Sequence, residues 1–393
     1  MAMQQPLSGV RVIDLTRILS GPFCTMLLGD MGADVIKIES GRDGDPIRKA
    51  GARVNDLSWY FASFNRNKRS MALELRSARG KEILVRLLQQ ADVLVENYRP
   101  GVLAEMGFDD ARLRQINPRL VVASITGYGT AGPYAGRPAF DFVIQAMSGF
   151  MSTNGPEGTP PMRSAPPITD LVAGLYAAYG VVNALRTRDL TGQGQRVDAS
   201  MMSGMVSMFA YLTSDYLATG ELPVRTGNDH PITAPYGLFS TSDGEIAVAP
   251  STDEILLRFL NLIGLGEVME DPRFKTNALR MFHRKELNAI IDEHLRSDTQ
   301  ANWIRRLNEG GVPCGKVQDV GEVMRDPQIM HQQMVLEIEH PGHGPVKMIG
   351  FPVKLSGSPC AVRHPAPEYG QHTAEIMREL GLTEDGEVLS SAA

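Results

Sequence analysis

Between residues 10 and 125, short runs of Val, Ile and Leu alternate with longer stretches of helical period. Val10–Leu15 (VRVIDL) reads as a strand, a helix follows Gly21-Pro22 to Met31, and Ala33–Glu39 (ADVIKIE) is a second strand. A helix from about Ala78 to Gln90 precedes the strand Asp92–Asn97, and another at Asp109–Ile116 precedes the strand Leu120–Ile125. Strands separated by helices pair in parallel through crossovers. The expectation is an α/β chain with a Rossmann-like large domain. Ligands of such sheets collect at the carboxyl ends of the strands, which directs attention to the loops after Leu15, Glu39, Asn97 and Ile125.

From Asp170 the pattern turns helical, with one helix over Asp170–Arg188 and a second over Ala199–Leu217. The second carries Met201, Met202, Met205 and Met208, which read as core filling rather than a plastic binding surface. A polar, turn-forming stretch at Gly220–Asp229 reads as a linker into a smaller α/β domain. That domain has a strand at Glu245–Ala249 and helices near Asp253–Ile263, Arg284–Leu295 and Gln300–Gly310. Short strands rich in Pro and Gly follow Asp326, with no helix until Thr373. The chain so divides into 1–219, 220–325 and 326–393.

Several classes drop out. A net charge of −6 gives no chain-wide basic field for nucleic acid. Three widely spaced cysteines (Cys24, Cys314, Cys360) make neither a disulfide framework nor a cysteine-rich zinc site. The longest apolar stretch, Leu171–Leu185, is too short to span a bilayer, and MAMQQPLSG has no signal-peptide character. A cytoplasmic protein without membrane association is expected. Glu39 offers the acid of a dinucleotide site, but the loop after the first strand lacks G-x-G-x-x-G. Walker A, G-x-S-x-G and H-E-x-x-H motifs are missing as well.

Two features carry candidate chemistry. Asn65-Arg66-Asn67-Lys68-Arg69 puts three cations within four residues, suited to holding phosphates or to facing water as a solvated turn. Asp170 opens an apolar helix with Gly174 one turn later. It reads as an N-cap, or as a carboxylate nucleophile with the glycine leaving room for an acyl group. His331, His340 and His343 are spaced unlike a metal site, so no metal is assigned.

LSGVRVIDLTRILSGPFCTMLLGDMGADVIKIE, FNRNKRSMALEL, ADVLVENYRPGVLAEMGF, SITGYGTAGPY, TDLVAGLYAAYGVVNAL, TGQGQRVDASM, APYGLFSTSDGEIAVA and GVPCGKV together resemble, in order, the class III coenzyme A transferases (the formyl-CoA transferase and carnitine CoA-transferase group). The resemblance implies an interlocked-ring homodimer, each chain with a Rossmann-like large domain completed by the C-terminal segment. It implies acyl-CoA and carboxylic acids as substrates, with no tightly bound cofactor. Asp170 matches the family's catalytic aspartate, which forms a mixed anhydride and then an aspartyl-CoA thioester.

Other positions match family contacts to CoA or its surroundings: Leu19 and Ser20, Leu73, Arg76, Asn97, Tyr98, Arg99, Arg137 and the acidic Asp141. Three departures stand out. A family arginine is Ser40, for which Arg42 is the stand-in; another is Glu105; and the loop at Arg225–Ala234 is not glycine-rich, which argues against formate and oxalate as the pair. Arg17, Arg137 and Arg163 are candidates to grip a second carboxylate, and succinyl-CoA with a small dicarboxylate is the expected pair. An α-methylacyl-CoA racemase of the same superfamily needs a histidine where Phe140 stands, and His230 is a weak substitute. A non-catalytic acyl-CoA-binding protein would have no use for Asp170.

Overall fold

The computed structural model describes residues 4–41 and 43–383. Its first unit is organised by six parallel strands: β1 (Arg11–Asp14), β2 (Asp34–Glu39), β3 (Lys68–Ala72), β4 (Val93–Glu96), β5 (Val121–Thr126) and β6 (Arg196–Ser200). Their spatial order is 3-2-1-4-5-6. This is the doubly wound order, with its topological switch point between β1 and β4. The expected α/β class and parallel sheet are present.

The helices that matter for the site are α1 (Ser20–Asp30), α2 (Trp59–Asn65), α3 (Ala78–Gln89), α4 (Asp110–Ile116), α5 (Asp141–Met147) and α6 (Ile168–Thr191). Side chains alternate along each strand, so the two sheet faces bury different sets. Ile13, Leu15, Ile36 and Leu94 pack with Leu84 and Leu87 of α3. Val12, Val35 and Val93 pack with Leu28 of α1 and with Ala173, Ala177 and Val181 of α6. The small residues let α6 lie close: a Cβ on Gly180 would stand 2.5 Å from Val197. At 24 residues α6 is longer than its apolar stretch suggested and long enough to cross a bilayer, but half of its most apolar window is buried in this packing.

The run Asn65–Arg69 is neither a solvated turn nor a phosphate cradle. It enters β3, and its cations are spent inside the protein. Lys68 is fully buried, donating to Asp14 (3.2 Å), Asn65 Oδ1 (2.9 Å) and the Pro22 carbonyl (3.0 Å). Arg66 makes a buried two-point bridge to Asp30, at 2.9 and 2.7 Å. Arg69 joins Asp34, Glu375 and Glu379. Paired in this way, charged residues occupy an edge strand that hydropathy alone misses.

The long helix expected over Ala199–Leu217 is instead the end of β6 followed by α7 (Met201–Ser207) and α8 (Tyr211–Thr219). Between the two helices Ala210 takes a left-handed φ of 50°, which no helix passes through. Met201 and Met205 are core residues, whereas Met208 is exposed.

Contacts divide the described chain into two units. The first runs to Phe150 and includes Ser164–Tyr211 and the residues from Pro327 on; the second holds Met151–Arg163 and Leu212–Asp326. The second unit has an antiparallel sheet of β7 (Gly237–Ser240), β8 (Glu245–Val248) and β9 (Cys314–Lys316) in the order 9-8-7. Helices α9 (Asp253–Leu262), α10 (Arg284–Leu295) and α11 (Gln300–Glu309) close its core around Phe239, Phe259, Ile291 and Trp303.

The C-terminal residues contribute a hairpin of β10 (Val335–His340) and β11 (Gly344–Ile349), then α12 (Thr373–Glu379), to the first unit. They cover the outer edge of β3. Asn67 N–H donates to the His364 carbonyl (3.0 Å), His372 N–H to the Ser70 carbonyl (2.9 Å) and Ala72 N–H to Thr373 Oγ1 (3.0 Å). Covering an edge in this way removes its unpaired backbone groups.

Candidate active site

The loop that leaves β1 is held from three sides. Lys37 is fully buried on β2 and donates to the Thr16 carbonyl and to Asp45 Oδ2, both at 2.9 Å. Burial works against its charge, yet Asp14, Asp45 and Glu39 hold its pKa above the usual value. Asp45 in turn accepts the Ile18 N–H with both oxygens (3.1 and 3.2 Å). Asn97, after β4, clasps Arg17 with its carboxamide, accepting its N–H (3.0 Å) and donating to its carbonyl (2.8 Å). Between these anchors Ile18 has φ +70°, a strained conformation for a β-branched residue that persists only where its surroundings enforce it.

This loop delivers the N-terminus of α1 to the N-terminus of α6. Gly174 makes the approach possible: a Cβ there would lie 2.5 Å from the Ser20 carbonyl oxygen and 3.0 Å from the Phe23 ring. The glycine therefore admits α1, not an acyl group.

Asp170 is the third residue of α6, behind Pro167 at the N-cap, and its carboxylate does not cap the helix. Its neighbour Thr169 is fixed by Asp141, which accepts from Thr169 N–H and Thr169 Oγ1 (2.9 Å each) and from Gln145 Nε2 (2.7 Å). Burial and then the Asp141 charge push the Asp170 pKa up to about 7, against a hydrogen bond from Ser20. No lysine or arginine among the described residues pairs with it. A desolvated carboxylate near neutrality is a functional-site signature.

Two neighbouring cavities meet at the switch point. One, of about 530 Å³, is lined by Arg17, Lys37, Arg76, Lys81, Tyr98 and Glu105 among others. The second, of about 290 Å³, has Asp170 on its wall with Leu19, Ser20, Asn97, Arg99 and Arg137. Arg17 and Tyr98 line both, the Arg17 guanidinium lying 5.6 Å from the centre of the Tyr98 ring.

Most of the residues singled out in the sequence thus converge: Leu19, Ser20, Arg76, Asn97, Tyr98, Arg99, Arg137 and Asp170. Two sit differently. Leu73 is buried in the core beneath the sheet, and Asp141 stands behind the wall with its oxygens taken up. Arg42 lies outside the described residues. Glu39 is occupied by Arg48 (2.8 and 2.6 Å), Ser70 and the Asp45 N–H, so no ribose-binding acid remains at the end of β2. Phe140 lines the Asp170 cavity where a racemase base would stand. His230 belongs to the second unit, stacked on Tyr236.

Lys37, Asp45, Thr169 and Gln145 were not legible as site residues, because each acts through a backbone group or another side chain. The tail histidines also depart from expectation. His340 and His343 meet Glu368 with their ligand atoms within 4.8 Å of one another. Each imidazole nitrogen already faces an oxygen: His340 those of Pro341 and Ala366, His343 those of Asn55 and Glu368.

The model of CoA-transferase family III matches residues 7–373. A human succinyl-CoA:glutarate CoA-transferase is 37% identical over 391 residues, covering 98% of this chain and 89% of its own length. An acetyl-CoA:oxalate CoA-transferase of Acetobacter aceti is 37% identical, covering 96% and 97%. The crystal structure of a CAIB/BAIF family protein from Brucella suis superposes with a TM-score of 0.85 at 36% identity, covering 96% of this chain and all of its own. With an unpaired carboxylate at the switch point of a parallel sheet and matches along almost its whole length, the chain belongs to CoA-transferase family III, enzymes whose substrates are CoA thioesters.

Proposed function

We propose that this enzyme moves CoA from succinyl-CoA to a small dicarboxylic acid, with Asp170 as the covalent nucleophile. The observation that carries the reading is an ionisable, cation-free Asp170 facing a cavity walled by Arg17, Arg99 and Arg137. The name of the human relative, a succinyl-CoA:glutarate CoA-transferase, supports the choice of acid.

The Asp170 carboxylate attacks the thioester carbonyl carbon. The C–S bond breaks, CoA leaves as thiolate with the electron pair, and an aspartyl mixed anhydride remains. The thiolate then attacks the Asp170 carbonyl carbon, releasing the donor carboxylate and leaving an aspartyl-CoA thioester. The acceptor carboxylate reverses the two steps. Dividing the exchange in this way replaces one difficult displacement with easier ones. Partial desolvation keeps Asp170 reactive, and the N-terminus of α1 favours the negative charge that develops beside Ser20. The 530 Å³ cavity, with Arg17, Arg76 and Lys81, suits the phosphates of CoA.

The working form is a homodimer in the cytoplasm. Exposed Phe142 and Val143 on α5 and Leu175, Tyr179 and Val182 on α6 offer an apolar face for a second copy, and three free thiols suit a reducing compartment. Sedimentation reads the dimer directly; a monomer at micromolar concentration overturns it.

The decisive assay incubates the protein with succinyl-CoA and glutarate. Glutaryl-CoA forms, and a CoA adduct appears by mass on the peptide containing Asp170. Asp170→Ala abolishes both; turnover that survives in this variant overturns the reading.

A further inference from the structure

We propose that Arg137 selects acids with two carboxylates by binding the one that does not react. This rests on the transfer reading above. During transfer the reacting carboxylate exchanges its charge for an anhydride and then a thioester bond, whereas the remote carboxylate keeps its charge. It needs a fixed cation throughout.

The charges of the two cavities differ. In the larger one Glu74 and Glu105 stand beside Arg76 and Lys81, while Lys37 is bridged to Asp45 and Glu39 to Arg48. In the smaller one three guanidiniums, permanently charged, face the single carboxylate of Asp170. Among the described residues none of the three makes an ion pair. The thioester group itself is uncharged; the anions that reach this cavity are the leaving thiolate, which is transient, and the carboxylates of the acids, which persist.

Position separates the three arginines. Arg17 lines both cavities, and Arg99 is shared with a further cleft bordered by Glu96 and Asp109. Arg137 lines the Asp170 cavity alone among these clefts. Its guanidinium lies 3.8 Å from the centre of the Tyr134 ring, which packs edge-on against Tyr128 at 5.7 Å. A turn fixes its backbone, Arg137 N–H donating to the Tyr134 carbonyl at 2.9 Å. Stacking holds the plane of the fork while leaving its N–H edge for two-point binding of a carboxylate. A monocarboxylic acid offers that exposed edge no charged partner and forgoes the two-point, charge-assisted bond, which is the basis for discrimination.

The test compares glutarate with pentanoate, of equal chain length, as acceptors from succinyl-CoA. In a double-displacement mechanism kcat/KM for the acceptor reports only the second half-reaction, so a donor defect drops out. Arg137→Gln lowers the glutarate-to-pentanoate ratio of kcat/KM by at least thirtyfold, Arg137→Lys restores part of it, and Arg99→Gln leaves it within twofold of the parent. An equal loss on both acids in Arg137→Gln, or a ratio that moves with Arg99 instead, overturns the proposal. If the unmodified enzyme transfers CoA to no acid, the transfer reading itself fails, and calorimetric binding of the two acids decides for Arg137. Tighter glutarate binding that vanishes in Arg137→Gln supports the assignment; equal binding overturns it.

Discussion

Asp14 and Asp170 flank the same loop, one ending β1 and the other facing Ser20, yet their acidities lie far apart. Asp14 is completely buried, and burial alone pushes its pKa up. Lys68, Lys37 and the hydroxyls of Thr16 and Thr25 outweigh this and bring it to about 2. Asp170 is less buried, has only Ser20 in its favour and Asp141 against it, and stands at about 7. Burial sets the size of the stakes; the neighbours decide the sign. One carboxylate is fixed as an anion that shapes the sheet, and the other is left reactive.

The largest effect that tests this contrast is chemical. Asp170→Asn keeps the shape and removes the nucleophile, and kcat falls at least about 10⁴-fold in the succinyl-CoA assay. The same variant is more stable than the parent, with a definite pH dependence. The Asp170 pKa rises from 3.8 in the unfolded chain to about 7 in the fold, so its ionisation opposes folding. That penalty is absent below pH 4, grows as pH rises and is complete above pH 7. Denaturant titrations then show a gain for the variant of a few kcal/mol at most, confined to the upper range. A gain that is uniform with pH breaks the comparison.

Lys68→Met removes the buried ion-pair partner of Asp14, leaving it Lys37 and the hydroxyls of Thr16 and Thr25, and costs about 3–5 kcal/mol of stability, read from the shift in denaturation midpoint. A cost below about 1 kcal/mol shows that Lys37 and the two threonine hydroxyls hold Asp14 without Lys68. Gly174→Ala forces the added methyl against the Ser20 carbonyl and costs about 1–3 kcal/mol. It also lowers kcat by moving α1 away from Asp170, while Gly180→Ala, which meets only Val197, costs stability without that loss. Asp141→Asn is the mildest: removing one like charge shifts the rising limb of the kcat/KM pH profile below 7 by up to about one unit.

The first four strands with a clear hydrophobic signal, β1, β2, β4 and β5, were legible because apolar runs of four to six residues sit between helical stretches. β3 and β6 were not. Lys68 and Arg69 look solvated until Asp14 and Asp34, 54 and 35 residues away, are placed beside them, and pairing over such distances leaves no local trace. The break at Ala210 is a backbone event at a residue that favours helix. Asp170 was marked by its motif rather than by physics: the residues that set its acidity, Ser20 and Asp141, are 150 and 29 positions away. Gly174 was noticed for the wrong reason, since what its missing side chain admits comes from another helix.

The cover over β3 has a consequence for the newly made chain. Asn67 accepts the Arg363 N–H across 296 residues of sequence. At a synthesis rate of ~5–20 residues per second the two are made roughly 15–60 s apart. During that interval the β3 edge lacks this cover, and its backbone groups are open to pairing with another strand until residues 363–373 are made. A chain cut before residue 360 keeps that edge open for good, and aggregation rather than a mere loss of activity is the expected outcome.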